Sequence, residues 1–339
     1  MEKLNSESQE GNENHWITYQ GHQGGGVDKH IVLVSGDEEY RSEEALPMLA
    51  KILAIRHGFK CTVLFAIDTE TGIINPENQT SIPGLHHLET ADMMVLFTRF
   101  RELPDQQMKY IIDYTNQGKP IMGLRTATHA FNYTRNLQSP YAKYDFKNED
   151  FSGGYGRQVL GETWINHHGH HGKESARGII NEEMEAHPIL QGVQDIWGPS
   201  DVYTVNKLTD DAQVLVWGQV LIGMEPSDTP NLDKPQMPLA WIKTYTGDAR
   251  KTSRVFCTTM GASVDLENEG LRRLLVNSCY WCMEMEDQIP VESQVDYVGE
   301  YQPTFFGFGT YQKGMRPSDF QPLIYTDTRQ SPVANSGWD

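Results

Sequence analysis

The stretch 119–131, KPIMGLRTATHAF, has residue types and a spacing that could do chemistry. An apolar run, Pro120-Ile121-Met122, turns at Gly123 into small polar residues with one cation, Arg125, and one imidazole, His129. This pattern predicts a strand that ends in a sharp turn and feeds a helix. Gly123-Leu124-Arg125-Thr126-Ala127 has the spacing of a Gly-x-nucleophile-x-Gly elbow, with Arg125 where the nucleophile would stand. A guanidinium stays protonated and cannot attack a substrate. The scaffold therefore reads as an enzyme's, without the acyl-transfer nucleophile.

Two further loops offer complementary groups. Asp37-Glu38-Glu39-Tyr40-Arg41 follows one apolar run and Thr98-Arg99-Phe100-Arg101 follows another. With Arg125-Thr126-Ala127-Thr128-His129 they supply carboxylates, guanidinia and an imidazole, the set that a hydroxyl- or carbonyl-bearing ligand needs. The ordinary alternative is three solvated loops with capping carboxylates. Their placement after successive parallel strands favours one shared site.

His167-His168-Gly169-His170-His171 is the most unusual composition in the chain. Imidazoles serve both as acid/base groups near neutral pH and as zinc ligands. Neighbouring histidines diverge in extended chain, and Gly169 argues against a helix that would align them. One histidine acting in a pocket is the favoured expectation, His168 first and His167 second, because they lie nearest Trp164-Ile165. The alternatives are a metal held by His167, His168, His170 and His171, and surface or structural histidines. Trp164 is either a platform for a sugar ring or a core residue.

Several elements must position these loops. His30–Ser35 is a continuous apolar strand of the buried parallel kind. Ser42 with Glu43 and Glu44 starts a helix that ends at His57-Gly58. Phe59–Ile67 and Ala91–Phe97 are the next strands, and a helix runs from Pro104 to about Gly118. Later strands are expected at Arg177–Ile180, Val202–Val205, Val214–Gly218, Leu239–Tyr245 and Arg254–Gly261, with a last helix from Leu266 to about Met285. The alternation predicts an α/β fold, a doubly wound and mostly parallel sheet sandwiched by helices. Residues 1–29 read as a flexible polar lead. Residues 132–158 read as an insertion over the sheet edge, within a domain spanning 30–285. Residues 286–339 read as a wrapping tail whose last ten or so residues fray.

Composition narrows the partners. Asp plus Glu number 46 against 28 Lys plus Arg, a net charge of −18, which opposes nucleic acid and anionic membranes as partners. No 18-residue apolar run and no signal-type N-terminus are visible, so a cytoplasmic location is the default expectation, with export of a trimmed mature form left open. Cys61, Cys257, Cys279 and Cys282 read as reduced core residues. Cys279-x-x-Cys282 lies late in a helix, which argues against redox chemistry. A homo-oligomer is left open, and no cofactor is expected, zinc being the alternative.

The pieces HIVLVSGDEEYRSEE, ADMMVLFTRFRELP, KPIMGLRTATHAF, WINHHGHHG, AHPILQGV and RVFCTTMGASVDLENEGLRRLLVNSCYW together resemble the ThuA-like (trehalose-utilisation) proteins of the class I glutamine amidotransferase-like superfamily. The resemblance covers 30–285. It implies a flavodoxin-like fold and a link to sugar catabolism, including oxidised (3-keto) glycosides; an added antiparallel β region and a long C-terminal tail complete the expected fold. Glutaminases of that superfamily carry Cys at the elbow; Arg125 in its place removes glutamine hydrolysis. The expectation is then a carbohydrate enzyme of hydrolase, lyase or isomerase type acting on a small-molecule sugar ligand. Arg125 would anchor an oxygen and His129 and His168 would move protons. Asp37 and Glu38 would orient a histidine or bind hydroxyls. Tyr40, Arg41, Arg99, Arg101, Thr126, Trp164 and His167 would line the pocket. The alternatives are a non-catalytic sugar-binding or assembly protein, and a metal-dependent hydrolase built on His167–His171.

Overall fold

The structure, a computed structural model, describes residues 15–321. The first half alternates strand and helix. Strands β1 (Trp16–Tyr19) and β2 (His30–Gly36) lead into helix α1 (Ser42–His57), then β3 (Lys60–Phe65). A small two-stranded ribbon, β4 (Ile67–Asp68) with β5 (Ile73–Ile74), precedes β6 (Met93–Thr98), α2 (Asp105–Asn116) and β7 (Ile121–Leu124). The second half supplies β8 (Ala176–Ile180), β9 (Trp197–Gly198), β10 (Gln213–Val220), β11 (Met237–Thr246), β12 (Thr252–Thr258) and α3 (Glu269–Cys282).

One ten-stranded sheet runs in the order β1-β3-β2-β6-β7-β12-β11-β10-β8-β9. The block β3-β2-β6-β7-β12 is parallel, and the flanking pairs are antiparallel. The continuous apolar run of β2 is explained by its position: all seven residues are buried. The chain leaves β2 for β3 on one side and returns for β6 on the other. Such a reversal opens a crevice at the carboxyl ends of the two strands, where ligands bind in open α/β sheets. Helices cover both faces. α1 and α3 pack Leu46, Leu49, Leu53, Leu271, Leu274 and Leu275 on one side, and α2 packs Met108 and Ile111 on the other. α1 ends as its sequence requires, on Gly58 at φ 85° with its N–H on Ala54 O.

Four expectations need correction. Trp16–Tyr19 is an ordered edge strand paired antiparallel with β3, so the lead is not flexible from residue 16 on; 1–14 lie outside the described residues. Val202–Val205 forms no strand. His168 N and Gly169 N both donate to Val202 O and Thr204 N donates to Asn166 O, so that segment pairs irregularly with the histidine loop. Residues 132–158 cover a sheet face, not its edge. Tyr133, Tyr144 and Tyr155, with Val159 and Leu160, join the α2-side core against Ile121, Trp241 and Val255. Finally, Gly123 is inside β7 and makes no turn. A Cβ there would come 2.9 Å from Leu160 Cδ1 and 3.2 Å from Cys257 Sγ, so the glycine admits the covering segment.

The tail wraps the domain as far as it is described. Tyr301 Oη donates to Ser263 O at 2.8 Å, Ile74 N to Met315 O at 2.8 Å, and Phe320 stacks on Phe65 with centroids 5.7 Å apart. The four cysteines are buried and unpaired. The fraying proposed for the last residues falls outside the described chain. No helix among the described residues is long and apolar enough to cross a membrane.

Candidate functional site

The loops after β2, β6 and β7 meet at the carboxyl edge of the parallel block. Beyond Leu124 the chain makes one 3-10 turn, Arg125–His129, where an α-helix was expected. The elbow itself is present. Arg125 stands at φ 45°, a left-handed conformation uncommon outside glycine and costly unless its surroundings hold it. Those surroundings are strong. Its Nη1 donates to Thr259 O at 2.6 Å and to Asp201 O, and its Nη2 donates to Tyr40 Oη and Asp201 Oδ1, both at 2.9 Å. Burial opposes the charge, but Tyr40 and Asp201 raise the guanidinium above its ordinary value. Arg125 is therefore occupied by the protein and holds Asp201; it is not a free anchor for a substrate oxygen.

Asp201 is the centre of the site, and sequence reading missed it. Its side chain is fully buried and accepts from His167 Nδ1 at 2.8 Å and His171 Nδ1 at 3.0 Å, besides Arg125. Burial would raise its pKa, but the Arg125 charge and the two imidazole bonds outweigh that and hold it below the usual carboxylate range. His171 also places Nε2 3.3 Å from Glu39 Oε1. Glu39 pairs in addition with Arg99 Nε at 3.3 Å. Burial raises the Glu39 carboxyl, with Arg99 opposing.

His167, Glu39, Tyr40, Arg99, His129 and Trp164 line one cleft. Its free volume is about 20 Å³, room for one water and not for a sugar ring. Trp164 forms a wall 5.9 Å from the His167 ring and 5.3 Å from the His129 ring. His129 is buried among Phe100, Phe146 and Trp164. Burial first, then the Arg99, Arg125 and His167 charges, lower its pKa well below the ordinary value, leaving a neutral ring and a poor base. Roomier hollows lie elsewhere. One, lined by Lys29, Asp92, Pro120 and Thr252, sits at the amino ends of the parallel strands, away from this cluster.

The remaining predicted residues have structural tasks. Asp37 Oδ1 accepts from Glu39 N at 2.7 Å and Tyr40 N at 2.6 Å, and Oδ2 accepts from Thr126 Oγ1, so both oxygens shape the loop and touch no histidine. Glu38 bridges Arg99 and Arg101, and burial is the main cause of its raised pKa. Arg101 is wholly buried and donates to Arg99 O at 2.7 Å and to Pro76 O and Asn78 O at 2.9 Å; it is not among the residues that line this cleft. Arg41 turns to the tail, donating to Gly307 O at 2.7 Å and Thr304 Oγ1 at 3.2 Å. His168, the first choice among the histidines, bonds Pro235 O through Nε2 at 2.8 Å and is not in the cleft. His170 is exposed, its backbone N–H held by Glu174.

The donor set His167, His171 and Asp201 could also hold a metal ion. Their ligand atoms lie within 4.8 Å of one another, and two imidazoles with one carboxylate suit zinc or a first-row ion. The Arg125 cation on Asp201 opposes a divalent ion there.

A family model described as trehalose utilisation (ThuA) matches residues 31–282. Among solved structures, the chain is similar to a ThuA-like protein from Parabacteroides merdae, with a TM-score of 0.48 and 12% identity over 83% of this chain and 97% of that one. A ThuA-like protein from Bacteroides uniformis gives 0.48 and 13% over 78% and 95%. No curated protein matches the chain.

Proposed function

The chain belongs to the ThuA (trehalose utilisation) family, and on that premise we propose that it is a carbohydrate-processing enzyme working by proton transfer on a sugar or oxidised (3-keto) glycoside. The observation that carries this reading is the buried Asp201 carboxylate accepting from Nδ1 of His167 and of His171. A carboxylate behind an imidazole fixes its tautomer and leaves the other nitrogen to take or give a proton. For His167 that nitrogen is Nε2, on a side chain 40% exposed at the cleft.

His167 acts as the general base or acid, oriented by Asp201. Glu39, whose carboxyl burial raises, is the second proton carrier. A base removing a proton α to a keto group and an acid protonating a departing oxygen form a complementary pair. Trp164 offers its face to the apolar side of a sugar ring. Arg125 keeps Asp201 ionised, and with arginine at the elbow no acyl-enzyme forms.

The test is conversion of a panel of glycosides and 3-keto-glycosides. His167→Ala is expected to abolish turnover and His168→Ala to leave it within about twofold, since removing a general acid/base typically costs 10²–10⁴. Wild-type turnover in His167→Ala would falsify the assignment. Binding by thermal shift with no conversion anywhere in the panel favours the rival, a non-catalytic sugar-binding protein. A second reading, a metal-dependent hydrolase, rests on the His167, His171 and Asp201 donor set. Elemental analysis finding well under about one ion per chain removes it.

A further inference from the structure

The cleft that holds the acid/base groups is too small for a sugar ring, and one tail segment packs beside it, against Tyr40 and His171. Phe306 of the tail is buried, its ring 5.1 Å from the His171 ring and 5.3 Å from that of Tyr40. Phe305 stacks on Phe306 at 4.2 Å, and the Phe308 ring lies 5.1 Å from Arg99 Cζ. Phe305 is 50% and Phe308 60% exposed, so two large aromatic faces stand open to solvent beside the site.

The segment is held by hydrogen bonds to α1 and to the loop before it. Between Ile289 and Arg316 no residue belongs to a helix or strand. Gly307 N donates to Glu39 O at 2.8 Å. Thr304 donates to Glu44 through its N–H at 2.7 Å and its hydroxyl at 2.6 Å, and Arg41 reaches Thr304, Gly307 and Thr310. Glycines flank the segment: Gly299 at φ 79° and Gly314 at φ 84°. A Cβ at either would meet nothing within 4 Å, so backbone freedom, not crowding, accounts for glycine at both ends.

From this geometry we propose that Tyr301–Tyr311 is a hinged cover over the site, turning about Gly299 and Gly314, with Phe306 as the plug that a bound sugar ring displaces. When the cover recloses, Phe306 and Phe308 lie against the apolar face of the ring and water is excluded from His167 and Asp201, as active-site lids do. The identity of the ligand rests on the carbohydrate reading; the opening of the cover does not.

Hydrogen exchange on the full chain separates the two. Without ligand, amides of 301–311 are expected to exchange at least about tenfold faster than the central amides of α1, because cover segments open locally. Thr304→Ala, which removes the hydroxyl clasp on Glu44, is expected to accelerate the segment about tenfold further and leave α1 unchanged. Protection of the segment equal to that of α1, released only on global unfolding, overturns the proposal. In a second arm, methyl glucosides and their 3-keto forms are titrated; a ligand that binds is expected to slow exchange of the cover. Phe306→Ala should weaken that ligand about tenfold, in the range of a lost aromatic contact, read at a temperature where circular dichroism shows the variant folded, because loss of a buried phenylalanine also lowers the melting temperature. If the segment opens but no glycoside binds, the cover stands and the carbohydrate reading fails. If a glycoside binds and the segment's exchange does not change, the cover fails and the carbohydrate reading stands.

Discussion

Glu43 offers a test of how the fold treats a buried charge. It lies in the first turn of α1, between Arg41 and Glu44, and is 5% exposed. Neither carboxylate oxygen has a hydrogen-bond partner. Burial pushes it from 4.5 up to about 8, with Glu44 adding to the rise and Arg41 opposing. Between those two pH values the native state keeps a proton that the unfolded chain has lost. Stability is then fully present below about pH 4.5 and falls as pH rises toward 8, by about 1.36 kcal/mol per pH unit. The loss amounts to about 3 kcal/mol at pH 7 and approaches 5 above pH 8. Glu43→Gln is neutral at every pH in both states. An amide with unmatched donors shifts the whole curve by about 1–3 kcal/mol but not its slope. The measurement is equilibrium denaturation of both proteins at pH 5, 6, 7 and 8, read as the difference between them, so that other titrating groups cancel. That difference should grow in favour of the variant by about 3–4 kcal/mol from pH 5 to pH 8. Parallel curves would show that Glu43 is ionised in the native state and refute the reasoning.

Further expectations concern the site and its support. Asp201→Asn leaves the Arg125 cation buried without its counter-charge and releases both histidines; a loss of about 3–5 kcal/mol in denaturant titration is expected, and a loss under about 1 kcal/mol contradicts the pairing. His129 has a native pKa depressed below 6.5. Its contribution is present above pH 6.5 and is lost as the pH falls and the unfolded chain takes up a proton that the native ring refuses. His129→Phe, in an aromatic setting, should flatten the acid side of the stability profile measured from pH 7 to 5. Gly123→Ala forces Leu160 and Cys257 to shift and should cost about 1–3 kcal/mol by thermal or chemical denaturation; an unchanged midpoint would mean that the covering segment yields freely.

Much of the fold was legible because local pattern and tertiary role agree. The apolar run at 30–35 is what a strand with neighbours on both sides requires, and Ser42 to His57-Gly58 marks α1 at both ends. The parallel block follows from the alternation of such segments. Legibility ends where local pattern is overruled. Trp16–Tyr19 is four residues in a polar lead, and only pairing with β3 makes it a strand. Val202–Val205 has strand-like residues, but its backbone is spent on positioning the histidine loop and Asp201.

The site divides in the same way. Its rim was readable because three loops after parallel strands must converge, whatever residues they carry. Its chemistry was not readable, because roles depend on partners distant in sequence. Asp201 is one acidic residue among 46, and nothing near it marks it; it matters because Arg125, 76 residues away, neutralises it and because the backbone of 166–169 delivers His167 to it. His167 and His168 are equivalent by composition, but consecutive side chains in extended chain diverge, so the same pairing that brings His167 to Asp201 sends His168 to Pro235. The arginine at the elbow takes its meaning from this arrangement. Standing at the elbow after β7, Arg125 gives its donors to Asp201, Tyr40 and Thr259. A buried carboxylate that must stay ionised behind two imidazoles needs such a cation at its back, and the elbow is the position that can supply it.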